Sequence, residues 1–300
     1  MSEALFPVTW QNGNATVTTE RNGTRSVMWD GDLKLEYPLN VDIRVSTQCE
    51  FGRNPKTGKA VCSFCHESAV TDGTECDYGL LLQILTPLPA GVELAIGMNQ
   101  YTDNFHAFLG QCKLRGWIVN VTINQGHLKK WGKQLALMID EGVVAGVGVS
   151  FRPNMAVLDS PIVTLPNTVV HVIAGIDDFD RVSSLADSGV KKLLVLGEKD
   201  FGFNKGKVII SSPNHLKWKW KIHTLFSLFD VVSFDNLALQ QLNVKRFFTD
   251  KDWATFYQGE HSFYINAAEG YFSPSSRSPQ RVSANTTNIV DYFHTLSKEY

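Results

Sequence analysis

Seven short apolar runs alternate with longer stretches of helical periodicity, and this rhythm constrains the fold more than any other feature of the sequence. The runs are Val41–Ser46, Val92–Gly97, Trp117–Ile123, Ala145–Ser150, Val169–Ala174, Lys192–Leu196 and Val231–Phe234. Each has the length and the β-branched content of a buried strand. Helices are expected between them, at about 76–86, 101–115, 126–141, 178–188 and 213–229. Strand–helix alternation of this kind predicts an α/β class, with parallel strands joined by right-handed crossovers. Six or more such units could form a closed or partly closed barrel. In these architectures ligands gather where the loops leave the C-terminal ends of the strands.

The flanks follow other rules. Residues 1 to about 36 alternate polar and apolar positions around the turn signals Asn12-Gly13 and Asn22-Gly23, which reads as a strand or hairpin extension. Pro153, Pro161 and Pro166 interrupt any long helix after Ser150. From about 246 the rhythm changes again: Arg246-Phe247-Phe248-Thr249, a short helix near 250–257 and His261–Ala267 read as a small α+β extension. Gly270 and the run Ser273–Pro279 supply a turn and a loop. Three regions result: 1–36, a barrel-like 37–245, and 246–300.

Apolar and charged fractions of 43% and 19% exclude a disordered chain, and a net charge of −2 gives no global pull toward nucleic acid or an anionic membrane. Met1-Ser2-Glu3-Ala4-Leu5-Phe6-Pro7 lacks a signal-peptide pattern, and no run reaches the roughly 18 apolar residues of a membrane span. A cytoplasmic protein is expected. The Asn-x-Ser/Thr triplets at Asn14, Asn22, Asn120 and Asn285 are then chance matches.

In a reducing compartment, clustered cysteines point to metal or catalysis before disulfides. Cys49, Cys62, Cys65 and Cys76 fall within 28 positions; Cys112 stands apart. Thiolates are soft ligands for iron–sulfur clusters and zinc. Three of them above a barrel mouth could hold three irons of a [4Fe–4S] cube and leave the fourth open. The gap from Cys49 to Cys62 contains Asn54-Pro55-Lys56-Thr57-Gly58, a turn able to fold the chain back. Lengthening a ligand gap from three residues to twelve costs only about 1 kcal/mol in loop closure. The competing reading is a structural zinc site of Cys49, Cys62, Cys65 and either His66 or Cys76. Zinc ribbons usually pair two Cys-x-x-Cys knuckles, and only Cys62-Ser63-Phe64-Cys65 is present. Cys76 and Cys112, at and within expected helices, read as packed thiols.

Cys62-Ser63-Phe64-Cys65, with an aromatic residue before its last cysteine, resembles the second half of the Cys-x3-Cys-x2-Cys signature of the radical S-adenosylmethionine superfamily. The lengthened first gap is similar to that of some members, including relatives of 7-carboxy-7-deazaguanine synthase. The chain also resembles radical proteins encoded by bacteriophages. The likeness spans roughly residues 41–235. It implies a partial (β/α)6 TIM-like barrel, a [4Fe–4S] cluster on Cys49, Cys62 and Cys65, and S-adenosylmethionine chelating the open iron. It further implies reductive cleavage to a 5′-deoxyadenosyl radical, hydrogen abstraction from a substrate, and an electron donor such as flavodoxin or ferredoxin. Phe64 lies in the cysteine motif and would adjoin the cofactor. Gly97-Met98-Asn99 stands where the family has a Gly-Gly-Glu-like motif for the cofactor's amino group, with Asn99 in place of the acid. Thr122 and Asn124 fall in the strand ending similar to the family's Thr-Asn-Gly type. Ser150 would contact the ribose, Arg152 the cofactor carboxylate, and Ala174, in Ile173-Ala174-Gly175, the adenine.

Other residues compete for the same open end. His66, Glu67, His127, Glu198, Lys199, Asp235 and Asn236 follow strands and could face substrate. Asp177, Asp178 and Asp180 read as helix caps. Lys217-Trp218-Lys219-Trp220-Lys221 has the basic–aromatic interleaving of a nucleic-acid grip, though within a helix its tryptophans are expected to pack. His106, His171, His215, His223, His261 and His294 have no metal-like spacing. The sequence assigns no catalytic residue. The substrate could be a small molecule, a nucleotide, a nucleic-acid base or a peptide, and a bacteriophage setting would favour nucleotide or nucleic-acid modification in the host cytoplasm. The alternative is a non-enzymatic, zinc-stabilised module that binds nucleic acid or protein. A hydrolytic or aldol barrel enzyme lacks a recognisable signature.

Overall fold

A computed structural model describes residues 6–152, 160–253 and 261–296. The chain opens with an antiparallel meander of β1 (Val8–Asn12), β2 (Ala15–Thr19) and β3 (Arg25–Trp29). Then follow β4 (Asn40–Arg44), β5 (Gln48–Arg53), α1 (Tyr78–Leu85), β6 (Glu93–Met98), α2 (Asp103–Leu114), β7 (Ile118–Asn124), α3 (Gln125–Asp140), β8 (Gly146–Ser150) and β9 (Thr168–Ile173). After these come α4 (Phe179–Ser183), β10 (Lys192–Leu196), α5 (Pro213–Lys221), β11 (Val231–Phe234), α6 (Asn236–Gln241) and α7 (Asp250–Trp253). The strands β12 (Ser262–Asn266), β13 (Tyr271–Ser273) and β14 (Val282–Ser283) and helix α8 (Ile289–Leu296) end the order.

All seven expected strands form, each bounded within two residues of its expected ends. They lie in one large, mostly parallel sheet of order β11-β10-β9-β8-β7-β6-β4-β12-β13-β14. The sheet is open, with β11 and β14 at its edges, and no closed barrel forms. The expected helices at 178–188 and 213–229 are shorter than anticipated: α4 and α5 each continue as a 3-10 turn, at Ser184–Ser188 and Ile222–Ser227. The helix expected near 250–257 is seen over Asp250–Trp253; its remaining residues, like Pro153, lie outside the described ones.

Seven strands from β4 to β11 follow one another in a single direction, so right-handed crossovers carry the helices to one face. The burial record agrees. Ile43, Ile96, Val121, Val149, Val172 and Val195 are at most 3% exposed and join Leu81, Phe108, Leu135, Val182 and Trp218 of the helices in one core. The alternate strand positions carry Asp42, Ala95, Gly97, Asn120, Thr122, Gly148 and His171. This second face is polar or small because, among the described residues, the helices pack on the other one.

The N-terminal sheet closes one end of that face. Arg25 donates to Leu39 O and pairs with Glu93 (both 3.3 Å), Lys192 donates to Asn22 O, and Trp10 packs so tightly on Gly91 that a Cβ there would stand 2.3 Å from its ring. Leu39, Gly91, Glu93 and Lys192 all lie at strand N-terminal ends, so the meander covers the end opposite the loops. At the C-terminal end of the chain β12 pairs parallel with β4, from Ser262 opposite Asn40 to Asn266 opposite Arg44. The last hundred residues thus contribute to the main sheet as well as to its periphery. Among the described residues no helix is long and apolar enough to cross a membrane.

Candidate metal centre

Cys49 lies on β5, a short strand leaving the C-terminal end of β4, where an irregular loop was expected. The turn at Asn54–Gly58 forms as its residues demand. The Asn54 side chain accepts from the N–H groups of Lys56 and Thr57 (2.9 and 3.2 Å), and Gly58, at φ +67°, donates to Asn54 O. The return leg brings Ala60 beside Arg53 and Cys62 N–H to Phe51 O at 3.1 Å. The twelve-residue gap is therefore a hairpin that folds Cys62 back against the Cys49 strand. Cys65 N–H then donates to Cys62 O at 3.1 Å, closing a tight turn that contains half-buried Phe64.

The three sulfurs sit among donors. The backbone N–H groups of Phe51 and Gly52 act to lower the Cys49 pKa, and those of Ala69, Glu67 and Ser68 the Cys65 pKa. Ser68 reaches this turn at φ +52°. Arg152 Nη1 stands 2.9 Å from Cys62 Sγ. Burial pushes all three thiols up, Cys62 to about 11 despite its guanidinium neighbour. Cys65 and Cys49 each raise Cys62 further, and Cys65 raises Cys49. No such mutual effect reaches Cys76 or Cys112, both pushed by burial to about 12. Five backbone N–H groups and one guanidinium thus favour thiolates that burial alone disfavours, and a cationic centre would complete the shift. Among the described residues no group of three or more His, Cys, Asp or Glu side chains is placed so that it could hold a metal ion.

Loops from four strands meet here. Phe51 packs on Gly126, where a Cβ would stand 2.6 Å from its ring, and under the Arg152 guanidinium at 4.8 Å. Arg152 N–H donates to Gln125 Oε1 at 3.1 Å. The segment after β10 also closes on the motif: Phe203 N–H donates to Cys65 O at 3.0 Å, and the Arg53 guanidinium lies 4.0 Å from the Phe203 ring.

The remaining expected cofactor contacts divide. Gly97 faces the helix-free side with nothing within 4 Å of its Cβ position, and Thr122 lies opposite it on β7. Asn99 follows β6 in a bend and Ser150 ends β8, both half-buried. The Met98 side chain, 1% exposed, belongs to the core under the helices, and its backbone lies at the strand end. Asn124 caps α3, accepting His127 N–H at 2.9 Å, so its side chain is engaged structurally. Ala174 is fully buried and donates its N–H to Leu196 O. Arg152 meets a thiol where a cofactor carboxylate was expected.

His127 is packed between Phe51 and Trp131, with ring centroids 4.6 and 5.0 Å away, and burial lowers its pKa to about 4. Its Nε2 lies 3.4 Å from Glu50 Oε1. Asp178 caps α4 as expected, whereas Asp180 pairs with Lys217 and Asp177 folds back onto Ile173 N–H at 2.6 Å, burial raising its pKa to about 7. Asp235 caps α6 and accepts from Gly197 N–H, and Glu198 accepts from Asn204. In the Lys/Trp segment Trp218 is fully buried and donates to Asp177 O, but Trp220 is 68% exposed, contrary to packing.

His66, Glu67 and Lys199 do come together. Glu67 accepts from His66 at 3.0 Å, Arg44 at 3.1 Å and Tyr264 at 3.2 Å, and these cationic and hydrogen-bonding partners hold its pKa at about 2 against burial. Lys199 Nζ stands 3.2 Å from His66 Nε2. Asp42, Arg44 and Tyr264 were missed by sequence reading. The polar–apolar alternation Asn40-Val41-Asp42-Ile43-Arg44 was the available signal for the first two.

Comparisons with protein-family models, with curated proteins and with solved structures find no match to this chain.

Proposed function

We propose that the chain is a radical S-adenosylmethionine enzyme whose Cys49, Cys62 and Cys65 hold a [4Fe–4S] cluster on a partial barrel of (β/α)6 type. The observation that carries this reading is that these three thiols, alone among the five described, lie close enough to raise one another's pKa at the C-terminal end of the parallel strands. The donor chemistry fits: soft ligands, Cys49 buried and Cys62 and Cys65 half-buried, with N–H groups nearby, suit a cluster whose sulfurs carry delocalised negative charge.

When bound, the cluster supplies the electron that cleaves S-adenosylmethionine and so yields the radical for hydrogen abstraction. The chain's own part is to bind, orient and exclude water. Arg152 holds the Cys62 sulfur and fixes the Phe51 ring beneath it. Gly97 permits close backbone approach beside Asn99, whose amide oxygen would accept the cofactor's amino group. Thr122, Ser150 and the backbone near Ala174 continue the same rim toward ribose and adenine. A flavodoxin- or ferredoxin-like donor would supply the electron.

Anaerobic protein reduced with dithionite and given S-adenosylmethionine is expected to release 5′-deoxyadenosine, measured by liquid chromatography and mass spectrometry. Failure of release from protein carrying full iron and sulfide would refute the enzyme reading.

A further inference from the structure

Lys217-Trp218-Lys219-Trp220-Lys221 forms the second half of α5, on the helix-covered face of the sheet. At about 100° per residue, helix positions two apart point in nearly opposite directions. Trp218 therefore enters the core, where it is fully buried, and Trp220 faces water at 68% exposure. The same rotation puts Lys219 on one flank of Trp220, and Lys217 and Lys221 on the other. Helix α5 runs back from the loop after β10 toward the start of β11, so its last turn lies away from the cysteine end of the strands.

Trp220 does not stand alone. Exposed Arg246, from the 3-10 turn Val244–Phe247, donates through Nη2 to Lys219 O. Its guanidinium lies 5.4 Å from the Trp220 ring and 4.6 Å from the Phe247 ring, distances at which cation and π face attract. Phe247 in turn lies 5.6 Å from the His223 ring. Indole, guanidinium, phenyl and imidazole thus form a continuous row of flat groups at the surface, held together before anything binds.

The charge around this row is one-sided. The whole chain carries −2, yet Pro213 to Phe229 contains three lysines and no acidic residue. Lys217 is paired with Asp180, and Lys245 with Asp250. Lys219, Lys221 and Arg246 have no ion pair among the described residues, and Lys221 shares only the field of Asp180, which Lys217 already holds. Uncompensated cations beside exposed π faces match a chain of phosphates whose bases are free to stack. A polyanion without rings would leave the indole in water, and a duplex keeps its base faces in its own stack. The hydroxyls of the next turn, Thr224 and Ser227, donate to Lys221 O and Thr224 O, both at 2.9 Å. Neither is free to donate to a ribose 2′-hydroxyl, the group that sets RNA apart.

We infer that the Trp220–Arg246 platform is a docking surface for single-stranded DNA, a base stacking on Trp220 and the flanking phosphates meeting Lys219, Lys221 and Arg246. The surface is separate from the candidate metal centre, and its binding does not rest on the enzyme reading.

Fluorescence anisotropy of a labelled oligothymidylate of about twelve nucleotides tests this on the full chain. At matched salt the single strand is expected to bind at least about tenfold more tightly than a duplex of equal length, although the duplex is the denser polyanion. Three neutralised phosphates predict that log K falls with log[salt] at a slope of about −2. Trp220→Ala should weaken binding about tenfold, and Trp220→Phe should restore most of that loss. Lys221→Gln should reduce the slope by about 0.7. Duplex bound as tightly as single strand, or Trp220→Ala binding like the wild type, would overturn the inference. So would an oligouridylate bound about tenfold more tightly than the DNA. Sedimentation of the free chain supplies the last check: a dimer that Trp220→Ala dissociates would assign this face to a second copy instead.

Discussion

Cys62→Ala protein is expected to lose its iron and to release no more 5′-deoxyadenosine than a protein-free control, while Cys112→Ala keeps both. The contrast follows from position. Cys62 Sγ is held by Arg152 at 2.9 Å and interacts with both other thiols of the motif. Cys112 lies fully buried in α2, its sulfur perturbed by burial and by Arg115, with no cysteine in reach. On the proposed cluster, removing the Cys62 thiol would leave two thiolates for three irons and a guanidinium without its sulfur. Removing the Cys112 sulfur leaves a small apolar void, which should destabilise the fold by about 1–2 kcal/mol without touching the centre. Iron analysis and the deoxyadenosine assay measure the first effect, and urea unfolding the second. Equal loss of iron from both variants would contradict the ligand assignment.

Gly202→Ala should be the most damaging change remote in sequence from the motif. Gly202 has φ +62°, where an L-residue costs roughly 1–2 kcal/mol. A Cβ there would also stand 2.4 Å from His66 O and 2.8 Å from Cys65 O, both backbone atoms that no rotamer change can move. The loop must retreat, and with it goes the Phe203 N–H bond to Cys65 O and the Lys207 ammonium from Ser63 O. A displacement approaching 1 Å at a reacting centre can cost on the order of a hundredfold in rate, and deoxyadenosine release is expected to fall by about that much. Gly206→Ala is the control. It lies in the same loop at φ +73°, with nothing within 4 Å of its Cβ position, so it carries the conformational strain without the clash. If the two variants lose activity equally, the loop does not support the cysteine turn.

The parallel strands were legible because their signal is local. A run such as Val169–Ala174 is short, β-branched and bounded by breakers, and it folds as β9 with Val170 and Val172 in the core. The neighbour of a strand is not local. Ser262–Asn266 reads as a strand in isolation, but nothing nearby in sequence says that it will lie beside β4, more than two hundred positions away. The same limit hid the polar cluster around Glu67. Glu67 was legible as a residue after the motif, whereas its partners Arg44 and Tyr264 come from strands that meet only once β4 and β12 pair. The hairpin between Cys49 and Cys62 was legible from Asn54 and Gly58 because turn chemistry is set by adjacent residues. The strand character of Cys49 itself was not, since β5 depends on bridges to Ala60 and Val70 rather than on its own composition. Met98 and Asn124 show the converse: a motif position can lie at a strand end while its side chain is used elsewhere, in a core or a cap.

The central claim is that three cysteine sulfurs bind a four-iron cube with one corner left for a sulfonium nucleotide. Iron, acid-labile sulfide and zinc should be counted on the anaerobically isolated chain, and electron paramagnetic resonance of the dithionite-reduced protein recorded before and after S-adenosylmethionine is added. The account predicts iron and sulfide each near four per chain, and a cluster signal that changes on addition of the nucleotide. A colourless protein with one zinc and no sulfide, or a cluster signal indifferent to the nucleotide, would contradict it.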